Sequence, residues 1–255
     1  MSSPTPGPAP AASDGKRLFV GIPVAVATAN ALAGAAETLA RRSRDAGVDI
    51  RWVAPVNYHV TLKFLGWTRE ATIGPIRDAL IAAAAETPKL TLRVARLGGF
   101  PSLEKASVLW AGVEDASGSG ALTALAGRIE RACEALGFAA ERRPFHAHVT
   151  LGRLRETRAV RDVVLPLAEQ MFGDARVDTV TLYESETKSA GSVYREIHRI
   201  AFKTAREAGL GASERQTPAV QLDATKRTGE SLGEQVRDQI ETDDGWPRGH
   251  NHDDQ

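Results

Sequence analysis

Two copies of one tetrapeptide, His59-Val60-Thr61-Leu62 and His148-Val149-Thr150-Leu151, stand 89 positions apart in the chain. Their side chains are the parts of an acid/base site. An imidazole with an unperturbed pKa of ~6.5 changes charge near neutral pH, so one ring of a pair can be neutral while the other is protonated. The neutral ring can take a proton from water, and the imidazolium can give one to a leaving alkoxide. Each transfer is typically worth ~10² to 10⁴ in rate, so the pair could lower a barrier by ~5 to 11 kcal/mol. The threonine hydroxyls suit a different task, donating hydrogen bonds to the non-bridging oxygens of an anionic phosphoryl centre. Such a site needs no metal. One His-x-Thr on a strand is ordinarily structural; its duplication is what points to catalysis.

For four side chains to converge, each tetrapeptide must lie on a strand, where successive residues face opposite ways. His59 and Thr61 then project together, as do His148 and Thr150. Val60, Leu62 and Phe64 are expected in the core of one lobe, and Val149 and Leu151 in that of the other. Around them, apolar runs of strand length alternate with segments of helical period. Strands are expected at 17–22, 50–53, 59–65, 90–97, 108–113, 148–154, 176–185 and 194–202, and helices at 25–46, 69–86, 120–136 and 159–171. The run 176–185 carries Val177, Thr179, Thr181 and Tyr183 on one side and Val180 and Leu182 on the other. The pattern predicts an α+β fold: a duplicated two-lobe arrangement with mainly antiparallel sheets facing a central cleft and helices on the outside.

Composition narrows the class further. A chain of 255 residues, 42% hydrophobic and 25% charged, is neither collagen-like, fully disordered nor disulfide-dense. Its 32 basic and 32 acidic residues are unevenly spread: residues 1–205 carry 26 and 21, a net +5, and residues 206–255 carry 6 and 11, a net −5. The acidic tail has apolar residues too scattered to offset the cost of ordering and is expected to be mostly disordered, with a frayed helix near 232–240. The Pro/Ala/Ser leader at 1–15 reads the same way. That leaves 16–205 as the two-lobed domain. The single cysteine, Cys133, is expected as a small buried hydrophobe and favours a reducing compartment. The run 18–36 is broken by Gly21, Pro23 and Asn30, so no export signal is expected, and no window reaches the ~20 apolar residues of a membrane span. These readings together predict a cytoplasmic protein with no membrane contact.

His146-x-His148 and His250-x-His252 have the spacing of metal pairs, but the first lacks a third ligand nearby and the second sits in the tail, so no metal is expected. No phosphate-cradling Gly-rich loop, dinucleotide fingerprint, nucleophile elbow or Cys-x-x-Cys pair is present. Arginines at 41, 42 and 44, at 142 and 143, and at 155, 158 and 161 read either as solvated faces or as charges steering a phosphate chain to the cleft.

From Lys16 to Lys203 the sequence resembles the RNA 2′,3′-cyclic phosphodiesterase (2′-5′ RNA ligase) family of the 2H phosphoesterase superfamily, whose hallmark is two His-x-Thr motifs. The resemblance rests, in order, on Arg17-Leu18-Phe19-Val20, Arg51-Trp52-Val53, His59-Val60-Thr61-Leu62-Lys63-Phe64-Leu65-Gly66, His148-Val149-Thr150-Leu151-Gly152-Arg153 and Tyr183-Glu184-Ser185. It implies hydrolysis of RNA 2′,3′-cyclic phosphate ends to 2′-phosphomonoesters without a cofactor. Carried over by position, His59 becomes the acid for the 3′ oxygen, His148 the base for water, and Thr61 and Thr150 phosphate ligands. Arg153 matches an arginine the family places on the phosphate, although strict alternation puts it on the face away from His148 unless Gly152 admits a bulge. Phe145-His146-Ala147 replaces the proline that members commonly carry ahead of the second motif, and His146 shares a face with His148, where it tunes that ring, touches substrate, or is a solvated or core histidine. The tail has no counterpart in the family pattern. Two readings stand at this point: a metal-independent phosphodiesterase or reversible 2′-5′ ligase, monomeric and acting on RNA 3′ ends or small cyclic nucleotides, and an RNA or nucleotide-binding module using the same cleft without turnover. Having both histidines and both threonines favours the enzyme, since binding alone would tolerate lysine or arginine there.

Overall fold

The computed structural model describes residues 15–188 and 191–202. The expected leader and tail, with His250 and His252, lie outside the described residues, apart from Gly15. In chain order the elements are β1 (Gly15–Pro23), α1 (Val26–Asp45), β2 (Ile50–Trp52), β3 (His59–Arg69), α2 (Ile73–Ala85), β4 (Leu90–Phe100), β5 (Ala106–Asp115), α3 (Ala121–Ala135), β6 (His148–Arg158), α4 (Arg161–Val164), β7 (Met171–Val177), β8 (Thr179–Lys188) and β9 (Gly191–Ala201). No helix among the described residues is long and apolar enough to cross a membrane.

The helices form where apolar residues recur at a period of 3.6. In α3 the buried residues are Leu122, Leu125, Ala126, Ile129 and Cys133, one continuous stripe. Full burial of Leu125 and Ile129 contributes roughly 1.5–3 kcal/mol each. Cys133 takes the role expected of it: it is buried, and burial pushes its thiol up to about 11. In α1 the stripe is Leu32, Ala35, Ala36 and Leu39, and near its C-terminal end Arg42 donates to the backbone oxygens of Val163 and Asp162 at 3.0 and 2.7 Å.

All the strand pairs are antiparallel, in the order β7-β4-β5-β6-β3-β1-β8-β9, with β2 added beside β6. The α+β class with mainly antiparallel strands is therefore as expected. The order is symmetric about β3 and β6: three strands lie outward of each motif strand, and the halves join where Val60 faces Val149.

Two expectations at the C-terminal side are corrected. The helix expected over 159–171 is only the single turn α4 followed by a 3-10 turn at Leu165–Leu167; Pro166 has no amide hydrogen for a continuing helix, and a strand, β7, begins at Met171. The single strand expected over 176–185 is two, parted at Asp178. β7 pairs with β4 in one half of the sheet and β8 with β1 in the other, so the chain changes halves between Val177 and Thr179. The lobes are consequently not successive stretches of sequence, since β8 and β9 complete the half that β1 and β3 begin.

Candidate active site

The register at the seam builds the site. Counting from the Val60–Val149 pair, His59 stands across from Thr150 and Thr61 across from His148, all on the face opposite the buried valines. The four side chains therefore form a quadrilateral with the histidines on one diagonal, where such neighbours are roughly 7–8 Å apart. This is the convergence that the duplicated tetrapeptide predicted.

Both rings are held by one device. His59 Nδ1 lies 2.7 Å from the backbone oxygen of Asn57, and His148 Nδ1 lies 2.7 Å from that of His146. A carbonyl can only accept, so in each ring Nδ1 carries the hydrogen and Nε2 is left as the atom that takes or gives a proton.

The surroundings of the two rings are aromatic. Phe19 lies 4.7 Å from the His59 ring and stacks on Tyr183 at 5.0 Å, while Tyr194 meets His59 edge-on at 5.1 Å. On the other side Phe100 meets His148 edge-on at 4.9 Å. Burial among these rings pushes His59 down to about 4 against the pull of the Asn57 carbonyl, and the charges of His148 and Arg153 push the same way. His148 is lowered by burial, opposed by the His146 carbonyl, with His146 and Arg153 adding to the fall. Both rings are thus neutral in the free site at neutral pH.

Arg153 reaches this face because β6 is bulged. Thr150 pairs with Trp110 and Gly152 with Leu109, which leaves Leu151 as the extra residue and returns Arg153 to the side of His148. Its charge is felt by His59, His148 and Tyr194 alike. The matching irregularity in β3 overturns the expectation for Phe64. Gly21 pairs with Thr61 and Val20 with Lys63, so Leu62 is the extra residue. Lys63 turns inward and Phe64 outward, the reverse of strict alternation. Phe64 is 40% exposed, at 6.3 Å from Phe19. Lys63, 6% exposed, donates to Glu130 Oε1 and to the Ala139 oxygen, each at 2.6 Å, and so ties β3 to α3.

Of the residues left open in the sequence, His146 belongs to the ring cluster beside His148. It lies 6.2 Å from that ring, 5.4 Å from Phe100 and 5.2 Å from Trp110. Arg155, Arg158 and Arg161 are engaged with Asp49, the Gly47 oxygen and Glu104. No three His, Cys, Asp or Glu side chains among the described residues converge so as to hold a metal ion.

The sequence reading missed the aromatic wall of Phe19, Phe100, Trp110, Tyr183 and Tyr194, and it missed Gly21. A Cβ on Gly21 would fall 2.9 Å from the Val60 oxygen, so the bare backbone is what lets β1 approach β3 this closely beside His59, whose Cδ2 would lie 3.4 Å from that Cβ. The available signal was parity: Phe19 and Gly21 alternate along β1 just as His59 and Thr61 do along β3.

Paired His-x-Thr strands meeting on one face of a near-symmetric antiparallel sheet define a recognisable class. The chain belongs to the 2′-5′ RNA ligase superfamily, whose family model matches residues 29–189. A curated relative from Aeropyrum pernix, named RNA 2′,3′-cyclic phosphodiesterase, is 31% identical over 157 residues, covering 60% of this chain and 87% of its own. Among solved structures, a Thermus thermophilus protein shares the fold with a TM-score of 0.62 at 24% identity, over 74% of this chain and 99% of that one. E. coli LigT, solved in complex with 3′-AMP, matches with a TM-score of 0.54 at 26% identity, over 74% and 98%.

Proposed function

We propose that the protein is an RNA 2′,3′-cyclic phosphodiesterase that opens cyclic phosphate ends to 2′-phosphomonoesters by acid/base catalysis between two histidines. The observation carrying this reading is the matched pair of Nδ1-to-carbonyl bonds, which reserves both Nε2 atoms for proton exchange beside two threonine hydroxyls. The relatives' activity supports the substrate class.

In the proposed reaction, His148 Nε2 takes a proton from water as the water oxygen bonds to phosphorus. The P–O3′ bond breaks, and His59 Nε2–H delivers its proton to O3′. The product carries a 2′-phosphate and a 3′-hydroxyl. The net transfer of one proton from His59 to His148 is reset through solvent. Thr61, Thr150 and Arg153 take the non-bridging oxygens, where charge builds in the transition state. With an RNA 5′-hydroxyl in place of water, the same proton transfers join two strands by a 2′-5′ bond. The unit doing this is a monomer spanning 16–205, supported by a site assembled within one chain, and the lone buried Cys133 supports a reducing, cytoplasmic setting.

The test is incubation of an oligonucleotide bearing a 2′,3′-cyclic phosphate with the protein in EDTA, followed by identification of the product. A 2′-phosphomonoester is expected. Activity that disappears in EDTA and returns with a divalent ion would refute the two-histidine mechanism, and binding without turnover would leave a binding module.

A further inference from the structure

The face of β3 that carries His59 and Thr61 does not end at Phe64. After a second bulge, at Leu65, Gly66 pairs with Leu18 on the buried side and Trp67 pairs with Arg17 on the open side. Along that open side, β3 therefore presents His59, Thr61, Phe64 and Trp67, with Gly21, Phe19, Arg17 and Gly15 beside them on β1. Trp67 is 64% exposed, an unusual setting for the largest apolar side chain. Its indole lies over Gly15, where a Cβ would fall 2.5 Å from Nε1, so the ring rests on the β1 backbone.

We propose that Trp67, with Phe64 between it and the histidines, is a stacking platform for the bases of the RNA strand 5′ of the cyclic phosphate. This rests on the phosphodiesterase reading above. Thr61 stands across from Gly21 and Trp67 across from Arg17, four residues along β1, so at ~3.3 Å per residue Trp67 lies roughly 13 Å from Thr61, beyond Phe64, the ring that the terminal nucleotide's own base would meet first. Whatever stacks there belongs to upstream nucleotides. Continuity with the site fixes the occupant: Thr61, Phe64 and Trp67 follow one another along the open side of β3, so a chain whose phosphate sits at Thr61 can pass over both rings. Flat aromatic side chains bind single-stranded nucleic acid without regard to sequence, because every base has a π-face. The platform makes the enzyme favour cyclic ends carried on a chain over free cyclic mononucleotides.

The test compares kcat/KM for a 2′,3′-cyclic mononucleotide and for a pentanucleotide ending in the same cyclic phosphate, in the full-length protein, Trp67→Ala and Trp67→Phe. One stacked base is worth roughly 5- to 150-fold by substitution. The preference for the pentanucleotide is therefore expected to fall by about that factor in Trp67→Ala, through KM, and to be largely retained in Trp67→Phe. An unchanged preference, or an equal loss on both substrates, would overturn the platform. Binding of a pentanucleotide with a 3′-hydroxyl, followed by tryptophan fluorescence with Trp67→Phe as the blank, separates the two readings. If neither substrate turns over but RNA still quenches Trp67, the platform stands and the phosphodiesterase reading falls. Absence of quenching removes the platform, whatever the turnover.

Discussion

A proton donor with a pKa of about 4 is empty at neutral pH, so the assignment of His59 as the acid carries a quantitative demand. Half-protonation at pH 7 requires its pKa to rise by about 3 units, or ~4 kcal/mol at 1.36 kcal/mol per unit. The singly charged cyclic phosphate can supply this. Two unit charges ~4 Å apart at an effective dielectric of ~20 interact by ~4 kcal/mol, and the anion also offsets Arg153, one of the charges that depresses both rings. Substrate should therefore bind together with a proton. The assay is a pair of pH profiles on a 2′,3′-cyclic nucleotide at fixed ionic strength. In kcat/KM, which reports the free protein, the histidine pair should lose activity above an alkaline limb lying below 6.5, because burial lowers both rings. In kcat, which reports the complex, that limb should stand about 3 units higher, and KM should climb between the two limbs. Coincident limbs, or a kcat/KM limb above 6.5, would refute the claim that the substrate's charge loads the acid.

Single replacement of His59 or His148 by alanine should each cost roughly 10² to 10⁴ in kcat without adding in the double variant, and a nitrophenyl phosphodiester, whose leaving group needs no acid, should partly rescue His59→Ala alone; equal rescue of both would dismiss the assigned roles. Below pH 6.5 an unfolded His59 takes up a proton that the folded ring refuses until about pH 4, so stability should be lost across that window by at most about 3 kcal/mol. Urea melts at pH 7 and pH 4.5 should accordingly show a smaller acid loss for His59→Gln, and equal losses would contradict the depressed pKa. A chain ending at Ala205 should keep the melting temperature and turnover of the full protein, and a large drop in either would move the domain boundary.

The convergence of His59, Thr61, His148 and Thr150 was legible because it depends only on strand parity over three residues, a distance too short for a bulge to intervene. Phe64 and Arg153 lie beyond the bulges, at Leu62 and Leu151, where parity counted along one strand fails. Those bulges are created by pairing with β1 and β5, which no local pattern records. Helices α1 and α3 were read well because each has a long stripe of one period. The 159–171 stretch was misread because Val160, Val163 and Val164 fit a helical stripe for one turn before Pro166 ends it. Tyr183 and Tyr194 reach His59 only through the pairing of β1 with β8 and of β8 with β9. That pairing brings together residues far apart in sequence and leaves no trace in a local window.

The switch of halves at Asp178 sets the order in which the protein can be completed during synthesis. The ladder between β1 and β8 joins Leu18 to Glu184, nearly the full span of the described residues. Contacts of such sequence separation form late and slowly, because the intervening loop must close before they contribute. On the ribosome, the N-terminal half holds both β1 and β3 long before its outer strands emerge, exposing the free edge of β1 to unwanted pairing. The wall around His59 begins with Phe19 and is completed by Tyr183 and Tyr194, so a nascent chain carrying both His-x-Thr motifs but not yet these tyrosines leaves His59 open to water on their side. Catalytic competence should accordingly arise in one late step, after residue 201 has left the exit tunnel, and chains stalled before that point should be preferred prey for proteases and chaperones.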